Sequence, residues 1–107
     1  MVKEFNDTEL RQDLEGNSKI YLYFFSSGCG PCKNTKPKVE EFGKNTNDIV
    51  YLIQSKEAKD LQQQLKVSGF PSIVVVKDKT FVAGGIGEKE IVKIIDGESN
   101  QWKRSWY

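Results

Sequence analysis

Lys19-Ile20-Tyr21-Leu22-Tyr23-Phe24-Phe25-Ser26-Ser27-Gly28-Cys29-Gly30-Pro31-Cys32 holds a strand, a turn and a cysteine pair in that order. Residues 19–25 are β-rich with apolar side chains on both faces, as a central strand covered on each side requires. Ser26-Ser27-Gly28 is a turn, and the cysteines open a second helix reaching about Gly43. Cys29 and Cys32 are the chain's only cysteines. Their spacing can close a disulfide reversibly at a helix start.

The first amides of a helix lack intrahelical partners, and the aligned peptide dipoles add partial positive charge there. A Cys29 thiolate is stabilised at that end, so more of it is nucleophilic at neutral pH. Lys33 and Lys36, in the next turns, add to this if their ammonium groups reach back. Cys32, one turn further in, is expected to be more shielded and to attack the mixed disulfide that Cys29 forms with a substrate. Gly30 allows close approach by a partner, and Pro31 suits the first helical turn, where its missing N–H costs nothing.

Other uses of the pair fare worse. A closed structural zinc site needs four ligands, and the chain has no histidine and no third cysteine. Attached haem needs a histidine where Lys33 stands, and a four-cysteine iron–sulfur cluster cannot form within one chain. A purely structural disulfide would close a very short loop and restrict the unfolded chain little. No metal and no cofactor is expected.

Outward from this stretch the chain alternates strands and helices. Residues 1–4 read as a short edge strand. Asn6-Asp7-Thr8-Glu9 resembles a capping box, with Phe5 and Leu10 placed as a hydrophobic staple. Gly16 is a natural helix stop. Residues 48–54 are another buried strand, and Ser55 is positioned to cap a third helix with Ala58, Leu61 and Leu65 on its inner face. Strands at 72–76 and 80–83 flank Lys77-Asp78-Lys79 as a tight hairpin. Residues 88–96 carry Ile91, Ile94 and Ile95 at helical spacing, with Gly97 ending the helix. The order β-α-β-α-β-α-β-β-α predicts an α/β fold, a mixed sheet of four to five strands with helices on both faces and an antiparallel hairpin at one edge.

A length of 107 residues suits one domain with a small core. The net charge of +1, with signs interspersed, gives no nucleic-acid footprint. Lys33, Lys36 and Lys38 read as a solvated helix face. No apolar run is long enough to cross a bilayer, and residues 1–5 do not resemble a secretory signal. These features place the chain in a reducing cytoplasm, where a cysteine pair is more often catalytic or metal-binding than structural.

Gly69-Phe70-Pro71-Ser72 sets a proline directly before an apolar strand. By itself this is either a plain trans turn or a cis bond that redirects the chain.

Phe24 through Lys33, with Pro37 five residues past Cys32, resembles the active-site strand, turn and kinked helix of the thioredoxin family. Gly69-Phe70-Pro71-Ser72 resembles that family's cis-proline segment, and Ala83-Gly84-Gly85 the glycine after its hairpin. The likeness spans residues 1–97, leaving 98–107 as a C-terminal extension. It implies a thioredoxin fold and a redox-active Cys29–Cys32 disulfide. Phe70 and cis-Pro71 would flank the cysteines and offer the Phe70 backbone to a substrate strand, and Gly84 would complete an apolar docking surface with Pro31. It also implies disulfide-containing protein substrates and a flavin-containing reductase of the thioredoxin-reductase kind as electron donor. A monomer is the expected state.

Three departures stand out. Gly28 occupies the place of a tryptophan before the first cysteine, which should leave Cys29 more exposed. Tyr23 aligns with a buried aspartate that is thought to take the resolving thiol's proton, and Leu52 with the lysine that pairs it. A tyrosine, with a pKa of about 10, is a poor base at neutral pH. Losing both members together fits the cost of an unpaired buried charge. The extension holds Trp102 and Trp106, which can continue a helical stripe with Ile91 and Ile95 if Gly97 does not break it. It either packs on the domain or docks a partner. The functional reading is a thiol–disulfide oxidoreductase serving cell redox homeostasis. A glutaredoxin-like enzyme using glutathione and a binding module acting through Trp102 and Trp106 are the alternatives.

Overall fold

The computed structural model describes residues 1–16 and 19–98, the last in its backbone only. Five strands form one sheet: β1 (Val2–Glu4), β2 (Lys19–Phe25), β3 (Ile49–Gln54), β4 (Ser72–Lys77) and β5 (Thr80–Ile86). Among the described residues four α-helices accompany it: α1 (Asp7–Glu15), α2 (Gly30–Asn45), α3 (Lys59–Gln64) and α4 (Glu88–Glu98). The strand order is β1-β3-β2-β4-β5. β1, β3 and β2 run parallel, while β4 is antiparallel to β2 and β5 to β4. This is the mixed sheet with an edge hairpin that the element order predicts.

Period-two alternation sends each strand's side chains to two cores. Ile20, Leu22 and Phe24 face one side with Tyr51, Ile53, Val74 and Val76, covered by Leu10 of α1 and Leu61 of α3. Tyr21 and Tyr23 face the other with Val50, Ile73 and Val75, covered by Val39 of α2 and by Ile91 and Ile95 of α4. Strand β2 lies in the middle and is apolar on both faces for that reason.

Local signals set the ends of the elements. Asn6 caps α1 by accepting the Glu9 amide at 3.0 Å, and the Gly16 amide closes the helix on the Asp13 carbonyl. Asp78 and Lys79 both have positive φ, 51° and 65°, the backbone of a two-residue hairpin turn. Several boundaries differ from the sequence expectation: β5 runs to Ile86 where the expected strand stopped at 83. The segment after β3 is a 3-10 turn (Ser55–Glu57) capped by Gln54 and Glu57, not a helix capped by Ser55, and α3 starts only beyond Ala58. Ala58, at φ −141° and ψ 52°, interrupts the helical backbone. Gly43 lies inside α2, where a Cβ would run into Val2 Cγ2 and come within 3.2 Å of Val50 Cβ. It is there for close helix–sheet packing, and α2 runs on to Asn45, with Thr46 as its C-cap. Gly97 likewise lies inside α4. The expectations for Trp102, Trp106 and the rest of 99–107 fall outside the described residues.

Candidate active site

The sheet register brings the two key loops together. Phe24 pairs with Ser72 across the antiparallel β2–β4 ladder. The chain leaving β2 toward the cysteines therefore passes the chain entering β4, which is Phe70-Pro71. The Phe70–Pro71 peptide is cis.

Cys29 is the N-cap of α2, with extended backbone at φ −88° and ψ 111°. Its Sγ accepts the Cys32 amide at 3.1 Å, so one otherwise orphaned donor of the helix start points at sulfur. Pro31 fills the first turn without wasting an N–H. The two cysteines form a disulfide with Cα atoms 5.3 Å apart. Their surroundings differ: Cys29 is half-buried, while Cys32 is only 4 % exposed. Gly28, Gly30 and Pro31 are exposed. Among the described residues a Cβ at Gly28 or Gly30 would meet nothing within 4 Å, so both positions have room for a side chain to start.

A cleft of about 260 Å³ opens beside the sulfurs, lined by Phe25, Cys29, Cys32, Lys33, Lys36 and Glu40 among others. Lys36 Nζ lies 4.6 Å from the centre of the Phe25 ring, a cation–π contact.

Tyr23 is fully buried beneath this end of α2. Among the described residues its hydroxyl has no hydrogen-bond partner. Burial pushes its pKa up to about 12; the nearby Thr35 hydroxyl offsets part of this, and Glu40 and Glu88 reinforce it. Thr35 is itself buried and donates to the Pro31 carbonyl at 2.6 Å. Leu52 is the direct register partner of Tyr23 on β3. The two aligned departures are thus neighbours, and an apolar contact fills the place where the family carries a charge pair.

Pro71 is buried and Phe70 half-buried, with Phe70 packed on the α1–α3 side of the core. Gly84 sits within the hairpin, opposite Val74, where a Cβ would come within 3.1 Å of the Phe81 ring. Gly87 contacts the proline loop: its amide donates to the Pro71 carbonyl at 2.8 Å, with φ +91°, a conformation open chiefly to glycine. The sequence signal for it is a glycine directly between a strand and a helix. Among the described residues no group of three or more His, Cys, Asp or Glu is placed to hold a metal ion.

The family model for thioredoxin matches residues 1–97. A thioredoxin from Echinococcus granulosus is 24 % identical over 91 residues, covering 84 % of this chain and 85 % of its own length. One from Acetoanaerobium sticklandii is 32 % identical over 74 residues, 67 % of this chain and 70 % of the relative. The crystal structure of Schistosoma mansoni thioredoxin superposes with a TM-score of 0.79 at 24 % identity, covering 89 % of this chain and 90 % of that one. With the matched region spanning both the cysteine loop and the cis-proline loop, the chain belongs to the thioredoxin family.

Proposed function

We propose that this chain reduces disulfides in polypeptides, with Cys29 as the attacking sulfur and Cys32 as the resolving one. Family membership and the closed Cys29–Cys32 pair make it a thiol–disulfide oxidoreductase. The division of labour rests on one observation: Cys29 is open to an incoming partner and Cys32 is 4 % exposed behind it.

In the reduced protein the Cys29 thiolate attacks one sulfur of the substrate disulfide. That S–S bond breaks, the departing substrate sulfur leaves as thiolate and takes up a proton, and Cys29 is left in a mixed disulfide. Cys32 then loses its proton and attacks Cys29 Sγ. The second substrate sulfur leaves, and the protein holds the Cys29–Cys32 disulfide. Two electrons pass from the pair to the substrate. Return to the dithiol requires a two-electron donor, for which we favour a flavin-containing reductase acting in the cytoplasm. Among the described residues no helix is long and apolar enough to cross a membrane. The exposed Gly30 and Pro31, with the Phe70-Pro71 segment across from them, offer a substrate strand its seat.

The test uses two variants and a peptide disulfide. Cys29→Ser is expected to abolish turnover, and Cys32→Ser to accumulate a mixed disulfide through Cys29, visible by intact-mass spectrometry. Turnover retained in Cys29→Ser, or a trapped adduct on Cys32 in that variant, overturns the assignment.

A further inference from the structure

The cleft beside the sulfurs carries a charge bias that acts on an approaching substrate as well as on the sulfurs. Lys36 follows Cys32 by four residues on α2, so the two share a helix face, one turn apart. Its ammonium is seated over the Phe25 ring at 4.6 Å. The ring's negative face holds the cation in place without cancelling its charge. Lys33, exposed on the adjoining turn, lines the same cleft. Glu40 is the one carboxylate among the cleft's lining residues, which leaves two cations against one anion. Lys38, on the same helix, is already neutralised by Glu88 at 3.2 Å and does not enter this balance.

We propose that this cleft selects disulfides in polypeptide segments that carry a carboxylate side chain beside the scissile bond, with Lys36 as the specificity-determining residue. The proposal rests on the disulfide-reductase reading above. At about 260 Å³ and open to solvent, the cleft has room for one side chain of an approaching polypeptide. Phe25 fixes Lys36 before a partner arrives, so less side-chain freedom is lost on contact than for a lysine in open water.

Two unit charges about 6 Å apart in a water-like dielectric change a rate about 3-fold, so exchanging a favourable charge for an unfavourable one changes it about 10-fold. Three peptides with the same disulfide and Glu, Gln or Lys on each side of it read this directly. The wild type is expected to reduce the Glu peptide faster than the Lys peptide. Lys36→Met, which keeps the packing on Phe25, should lower that ratio about 10-fold, and Lys36→Arg should retain it. Lys44→Met, near the other end of α2, serves as the charge control and should leave it unchanged. Added salt should shrink the wild-type ratio. An unchanged ratio in Lys36→Met, or an equal drop in Lys44→Met, overturns the proposal while reduction of the Gln peptide upholds the enzyme reading. No reduction of any of the three peptides overturns both. Glutathione disulfide reduced faster than the Glu peptide overturns the assignment to polypeptides.

Discussion

Replacing Tyr23 by phenylalanine should make the protein more stable, against the usual effect of a core substitution. The Tyr23 side chain is fully buried and its hydroxyl has no partner among the described residues. A buried hydroxyl without a hydrogen bond costs about 1–3 kcal/mol. Tyr23→Phe removes that cost and leaves a void of one oxygen atom, whose lost contacts amount to a few tenths of a kcal/mol. The net gain is about 1 kcal/mol, or about 4 °C in Tm for a domain of this size. Urea denaturation of the oxidised protein at pH 7 measures it, with an unchanged m-value as the sign that only stability moved. The difference should widen in alkali. The native pKa of about 12 lies above the unfolded value of about 10, so the native state keeps a proton that the unfolded state gives up. Tyr23 contributes its full share below pH 10 and loses it as pH rises through 12, by up to about 1.4 kcal/mol per pH unit. Tyr23→Phe lacks that loss, so its advantage should grow by about 1 kcal/mol by pH 11, while the other tyrosines cancel in the comparison. A variant less stable than the wild type at pH 7, with an advantage that stays flat into alkali, refutes the reasoning by showing the hydroxyl to be satisfied in solution.

Asp13→Ala should cost about 2 kcal/mol in urea denaturation, because Asp13 accepts from Tyr51 Oη at 2.5 Å and pairs with Lys3 at 3.0 Å, and its loss leaves a buried phenol unpaired. Burial raises the Asp13 pKa, but the Tyr51 hydroxyl and the Lys3 ammonium together hold it below the ordinary carboxylate value; the stability it confers is present above about pH 4 and lost as pH falls through the lower native pKa, an acid limb that Asp13→Ala should lack. Tyr23→Asp joined to Leu52→Lys places acid and base on register partners and should speed resolution of the mixed disulfide in stopped-flow kinetics; Tyr23→Asp alone, with no partner for its charge, should instead destabilise the fold by about 3 kcal/mol.

Most of the fold was legible because its signals are local. The β2 pattern, the Asn6 cap and the cysteine pair at a helix start each depend on residues close in sequence, and each lies where its chemistry placed it. Two features were not legible, for different physical reasons. Gly87, whose amide meets the Pro71 carbonyl, was missed because the ladder shifts register between Val75 and Val76. The slip leaves Val82 without a partner in the ladder and 47 % exposed, and it moves each later residue of β5 by one position relative to β4. Gly84 then faces Val74, and Gly87 meets the proline loop. Gly43 read as a helix stop because glycine often ends helices. Its real constraint is the approach of Val2 and Val50 from the sheet, a contact between residues far apart in sequence that no local pattern announces.

The same structure limits how Cys32 can lose its proton. On its buried side, Thr35 of α2 and Tyr23 of β2 carry hydroxyls. The Thr35 proton is committed to the Pro31 carbonyl, and Tyr23 holds its own proton up to about pH 12, so neither acts as a base at neutral pH. Leu52, beside Tyr23, carries no titratable group. With Cys32 as the resolving thiol that we propose, the route open to its proton is the cleft it lines with Lys36 and Glu40. Charge in that cleft bears on both substrate approach and thiolate formation. An ammonium nearby favours the thiolate and a carboxylate opposes it. Specificity measured as a ratio between peptides isolates the first effect, because the thiolate contribution is common to every peptide and cancels.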